Sequence, residues 1–168
     1  MRIFIVGPMA SGKSTIGKRL AQKLNLQFID IDKEIEDRAG TDIPWIFEVE
    51  GEKGFRKREE KVLEESIKKS NVVISTGAGI VLSKSNRDLM IRSGKVIYLK
   101  ASLEIQLKRT QNDRSRPLLM DGNKEEVLKK LKKEREPIYE EISDLKIHQE
   151  NKKLKQVVEE ISNKLNNE

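Results

Sequence analysis

The chain of 168 residues contains no cysteine and a single histidine, His148. Disulfides, Cys-ligated zinc, iron–sulfur clusters and thiol nucleophiles are thereby excluded, and no multi-histidine metal site can be assembled. Aromatic residues make up 4% of the chain, too few for a base-stacking platform, so nucleic acid is not an expected partner. No apolar run approaches the roughly 18 residues of a membrane span. The run Ile3-Phe4-Ile5-Val6 stops at Gly7, too short for the core of a signal peptide. No membrane association is expected, and the cytoplasm is the expected compartment.

Charge is abundant and mixed. Lysine and arginine number 34 against 28 acidic residues, a net charge of +6. The two signs interleave, as in Lys57-Arg58-Glu59-Glu60-Lys61. Such runs form solvated helix faces rather than a uniform basic surface, and the arginine excess suits a small anionic substrate. At 36% hydrophobic, the chain can build one core, and residues 1–168 are read as one domain expected to act as a monomer.

The apolar pattern changes period along the chain. Short β-branched runs at Ile3–Val6, Gln27–Asp30, Asn71–Ser75, Lys95–Leu99 and Leu145–His148 read as strands. Helical spacing follows from Ser14, then at Lys33–Ala39, Pro44–Glu50, Glu52–Lys69, Lys84–Ser93, Leu103–Thr110, Glu125–Ile142 and Leu154–Leu165. Alternating strands and helices predict a three-layer α/β fold with a parallel sheet covered on both faces. One long stretch, residues 111–124, has no periodicity, and an ordered domain seldom keeps such a loop without use. It is a candidate lid, carrying Arg114, Arg116 and Pro117.

Gly7-Pro8-Met9-Ala10-Ser11-Gly12-Lys13-Ser14 matches G-x-x-x-x-G-K-[ST] between a strand and a helix, and Thr15 follows. Its backbone N–H groups, those of Gly7, Ala10, Ser11 and Gly12 among them, would curl around phosphate oxygens, with the helix N-terminus behind them. Lys13 would reach the β- and γ-phosphates, and Ser14 would ligate Mg²⁺. Nucleoside triphosphate binding follows. Guanine selectivity does not, because Asn151-Lys152-Lys153-Leu154 lacks the carboxylate of N-K-x-D. Strand three ends Ile74-Ser75-Thr76 with no acid, so the carboxylate serving the metal is expected from Asp30, acting through water.

Asp30 and Asp32 sit at alternate positions at the end of strand two, where ligands gather in parallel sheets. One can serve the metal while Asp32 accepts a proton from a hydroxyl. Asp32 reads equally as the N-cap of a helix starting at Lys33. Further on come Gly51-Glu52-Lys53-Gly54-Phe55-Arg56, Gly77-Ala78-Gly79, Arg116-Pro117-Leu118-Leu119 and Arg135-Glu136-Pro137-Ile138-Tyr139. Taken alone, Arg56 would pair with Glu59 or Glu60 at the surface, and Arg135 with Glu134 or Glu136.

With the phosphate loop and the Asp-x-Asp pair, these motifs run in order over essentially the whole chain, and together they resemble the shikimate kinase family. The resemblance implies a five-stranded parallel sheet in the order 2-3-1-4-5, a P-loop kinase fold with a lid, and an acceptor-binding region over residues 33–60. It implies shikimate and ATP as substrates, Mg²⁺ as cofactor, and transfer of the γ-phosphoryl group to the 3-hydroxyl of shikimate. Asp32, Arg56, Gly77, Ala78, Gly79 and Arg135 match the shikimate-binding positions, Arg116 the lid arginine facing the phosphates, and Arg109 the arginine against adenine. Chemically, two arginines would clamp the carboxylate and Ile43, Phe47 and Phe55 would wall the ring. The family carries three glycines where this chain has Gly77-Ala78-Gly79, which an alanine tolerates if its φ is negative. The same cradle also serves gluconate and nucleoside monophosphate kinases, and a non-catalytic ATP-binding module would share it.

Overall fold

The computed structural model describes residues 1–114, 116–119 and 123–167; of the candidate lid, Ser115, Met120, Asp121 and Gly122 lie outside the described residues. Five strands, β1 (Arg2–Val6), β2 (Gln27–Asp30), β3 (Val72–Ser75), β4 (Lys95–Leu99) and β5 (Leu145–Ile147), form one parallel sheet in the order β2-β3-β1-β4-β5. The anticipated topology is realised. Ile3 lies between Val73 and Lys95, fixing the register of the three central strands.

Alternation along those strands divides two apolar layers. Phe4, Val6, Val72, Ile74, Val96 and Tyr98 pack on one face with α2 (Ile31–Ala39), α3 (Ile43–Ser66), α4 (Lys84–Ser93) and α6 (Lys124–Ile142). Ile3, Ile5, Val73, Ile97, Leu99 and Ile147 point the other way, against α1 (Lys13–Leu24) and α7 (Leu154–Asn166). Helix α5 (Leu103–Thr110) flanks the phosphate loop. Strands wholly apolar on both faces are what a doubly covered parallel sheet demands.

Of three local features, two differ from the sequence expectation and one agrees with it. Helix α2 begins at Ile31, and its N-cap is Asp30, whose side chain accepts from Lys33 N at 3.1 Å. Asp32 is therefore not the cap; it lies in the first turn. The break expected at Gly51 is present: α3 consists of two helices meeting across a kink where Gly51 takes the non-helical φ 71° and ψ 176°. That backbone conformation is open to glycine and strained for other residues. The stretch 111–124 is not wholly irregular: Pro117–Leu119 form a 3₁₀ turn, and Leu119 is buried against Met9 and Leu128.

Candidate active site

The phosphate loop closes between β1 and α1. Gly7 (φ 150°) and Gly12 (φ 86°) take conformations that suit glycine, and Ala10 adopts the left-handed region at φ 62°. A Cβ on Gly7 would stand 2.5 Å from the Leu99 carbonyl oxygen, so the loop can seat against β4 only with glycine there. Lys13 is buried and donates to Gly7 O at 2.9 Å and Pro8 O at 2.8 Å. Burial lowers its pKa to about 8, against the opposing pull of Asp32. Thr15 follows in α1 and lines the cleft.

Ser14 Oγ donates to Asp30 Oδ2 and lies 3.4 Å from Ser75 Oγ. Hydroxyl and carboxylate oxygens in contact form a hard donor set of the kind Mg²⁺ takes. Among the described residues no three acidic or histidine side chains form a metal cluster. These residues therefore fit a cation completed by nucleotide phosphates and water rather than a protein cage.

Side chains from α5 and from the segment after β5 hold the loop backbone. Gln106 Nε2 donates to Met9 O at 3.1 Å, Arg109 Nη1 to Ala10 O at 2.8 Å, and Gln149 Nε2 to both Ser11 O and Lys100 O at 2.8 Å. Arg109 thus lies against the phosphate-loop backbone. Sequence reasoning missed Gln106 and Gln149: a glutamine bonding a carbonyl remote in sequence leaves no local pattern. Lys152 also lines the cleft, tied to Glu160 at 2.7 Å.

The same cleft, about 660 Å³, continues to Asp32, Arg56, Gly77, Ala78, Gly79, Arg116 and Arg135. Ile43, Phe47 and Phe55 line it as well, with the two phenyl rings 4.9 Å apart. Arg56 donates to Glu59 at 2.9 Å and Glu52 at 3.2 Å. The pairing with Glu59 was anticipated, but its setting was not: Glu59 is fully buried. Burial pushes the Glu59 carboxyl up to about 7, with Arg56 pulling the other way. Burial, then the neighbouring Asp30, pushes Asp32 up to about 6. Asp32 Oδ1 and Glu59 Oε2 are buried without hydrogen-bond partners. Helical spacing joins Arg56 to Glu59, but nothing in the sequence announces that Glu59 is enclosed.

Both oxygens converge on the glycine turn. A Cβ on Gly77 would meet Glu59 Oε2 at 2.7 Å and Asp32 Oδ1 at 2.9 Å, and one on Gly79 would meet the Arg56 guanidinium at 2.2 Å. Ala78 lacks positive φ, and its methyl packs with Met9, Leu119 and Leu128. The alanine sits at the turn position where a side chain fits. Tyr139, quoted in the motif without a role, donates to Ala78 O at 2.5 Å and stacks on Tyr98. Arg135 is buried, at 5% exposure, with Glu134 at a loose 4.0 Å; it is no solvated surface arginine. Arg116 pairs with Asp113 at the mouth of the cleft. Trp45, on α3, is exposed and stands outside the cleft lining.

Comparison with known proteins gives a consistent result. The shikimate kinase family model matches residues 9–166. Shikimate kinase 1 of Yersinia enterocolitica is 51% identical over 97% of this chain and 95% of its own length. The shikimate kinase of Vibrio parahaemolyticus is 50% identical over 95% and 92%. Among solved structures, the shikimate kinase of Acinetobacter baumannii in complex with shikimate superposes with a TM-score of 0.95 at 41% identity, covering 98% of this chain and 92% of that one.

Proposed function

Because the chain belongs to the shikimate kinase family, we propose that its cleft transfers the γ-phosphoryl group of ATP to the 3-hydroxyl of shikimate. The observation carrying this reading is Asp32: a half-buried carboxylate with one enclosed, unpartnered oxygen, in one cleft with Lys13, Arg56 and Arg135. Arg56 and Arg135 bind the acceptor carboxylate through charge-assisted, bidentate-capable contacts. The N–H groups of Ala78 and Gly79 meet a ring hydroxyl, and Ile43, Phe47 and Phe55 enclose the ring. Asp32 receives the hydroxyl proton. A carboxyl with its pKa near 6 is ionised at neutral pH yet more basic than an ordinary aspartate.

Lys13 and Arg116 offset the charge that develops on the migrating phosphoryl group, and Arg109 borders the adenine. Ser14 would hold Mg²⁺ directly and Asp30 would hold it through water. When bound, the cation neutralises charge on the β- and γ-phosphates. Residues 111–124 act as the lid, bringing Arg116 over the phosphates and excluding water, since transfer to water competes with transfer to a sugar-like hydroxyl. Residues 33–60 form the acceptor-binding region of a single catalytic domain. Large exposed apolar side chains are scattered over several elements, which favours a monomer. A cytoplasmic location, with ATP at hand, goes with this reading.

The test is ADP release coupled to acceptor, with shikimate, gluconate, AMP and CMP compared at equal concentration. Turnover confined to shikimate is the expected result; equal turnover with gluconate or a nucleotide, or none with any acceptor, defeats the reading.

A further inference from the structure

Beside the cleft lies a second, partly open space of about 20 Å³, whose lining includes Met9, Gln106, Arg135 and Tyr139, with Lys132 and Glu136 at its margin. Two of its walls are polar side chains nearly sealed from solvent, Gln106 at 2% exposure and Arg135 at 5%. Each keeps one buried polar atom without a partner, Gln106 Oε1 and Arg135 Nε. Leaving such atoms unpaired is costly in a protein interior. One is an acceptor and the other a donor. The Gln106 amide cannot turn round to change this, because its Nε2 is committed to Met9 O at 3.1 Å.

We propose that this space is the site of one structural water that accepts from Arg135 Nε and donates to Gln106 Oε1, making Gln106 a positioning residue for Arg135. The volume suits a single water, which needs roughly 10–15 Å³ and at least two polar partners. An apolar ligand of that size would leave both atoms unpaired, and an ion would match only one of them. Arg135 also lines the main cleft, so the water holds the guanidinium from behind while its terminal nitrogens face the acceptor. Gln106 grips the phosphate loop through Met9. One glutamine amide therefore joins the nucleotide loop to the acceptor arginine. The positioning role rests on the proposed shikimate reaction; the water itself does not.

A high-resolution crystal structure of the intact chain tests the site directly. The expected result is one ordered solvent peak within about 3.2 Å of both Gln106 Oε1 and Arg135 Nε. An empty cavity, or Arg135 Nε bonded to a protein oxygen instead, overturns the water whatever the enzyme phosphorylates. The positioning role is read from Gln106→Leu, with Gln106→Met in its place if the first variant does not fold. Shikimate KM should rise about tenfold, the scale of one lost hydrogen bond to a charged group, with kcat within about twofold. In an Arg135→Lys background, which has no Nε, the same change should add no further rise in shikimate KM. A rise in ATP KM alone would assign Gln106 to the phosphate loop only and overturn its role toward Arg135. An enzyme inactive on shikimate with the solvent peak present would instead remove the functional reading and leave the water standing.

Discussion

Arg56 Nη1 donates to Glu59 Oε1 at 2.9 Å, and the carboxylate that receives it is fully buried while the arginine opens into the cleft. An exposed i,i+3 pair would be worth a few tenths of a kcal/mol. Here the pair aims a cation at the acceptor site, and the buried partner carries the cost of leaving water. Glu59 is a support for Arg56, and the carboxyl's displaced pKa records the strain of that position.

The first prediction concerns that cost. Glu59 has its native pKa raised from 4.5 to about 7. Between those values the native state keeps a proton the unfolded chain has lost, so this group's contribution to stability is intact below pH 4.5 and lost as pH rises through 7. The full span is about 3 kcal/mol, or roughly 6–12 °C in Tm for a domain of this size. Asp32 acts with the same sign and Lys13 titrates above the window, so both remain in a Glu59 variant. The difference in Tm between Glu59→Gln and the parent should therefore climb in favour of the variant from pH 5 to pH 7.5. A difference independent of pH would show that Glu59 is not held protonated.

Asp32→Asn should separate catalysis from structure. Asp30, not Asp32, caps α2, so the helix keeps its cap, and a half-buried charge is removed. Turnover should fall by at least about 10², with Tm unchanged or slightly raised in the absence of ligands. Normal turnover per folded molecule would remove Asp32 from proton transfer.

The glycine turn offers a paired test. Gly79→Ala drives a methyl into the Arg56 guanidinium, which must swing away from the acceptor. Shikimate KM should rise about tenfold or more with ATP KM unchanged, the scale of a misaligned charged hydrogen bond. Ala78→Gly frees no such clash and should stay within about twofold in activity, losing at most about 1 kcal/mol of stability through the unfolded chain. Equal effects of the two changes would refute the close approach at Gly79.

Arg116→Ala probes the lid. Its charge is needed only when phosphate is present, so kcat should drop by about 10² or more, while Tm of the free protein moves little because its ion pair with Asp113 is partly open to solvent. Amide exchange at Asn112, Asp113 and Leu119 should slow when an ATP analogue and shikimate are both bound. Ligand-independent exchange there, together with full activity of the variant, would leave residues 111–124 an ordinary surface loop.

Local sequence decided the elements and the phosphate end of the site. The run Ile3–Val6 is apolar on both faces, so it can only be an inner strand, and Gly7 to Ser14 encode a loop whose chemistry lies in its own backbone and the next helix. Asp32, Arg56 and Arg135 were legible as residues, through the order of their motifs. What only the tertiary structure decided is their surroundings. Burial is the sum of every element packed around a group, and it alone separates Glu59 from Glu60, or Arg135 from the exposed lysines beside it. The choice of Asp30 over Asp32 as the cap turned on where α2 begins, a difference of two residues that spacing does not resolve. Gln106, Gln149 and Tyr139 act on backbone carbonyls 97, 138 and 61 residues away. Contacts of that range exist only after the sheet has brought the loops together, so no local pattern carries them.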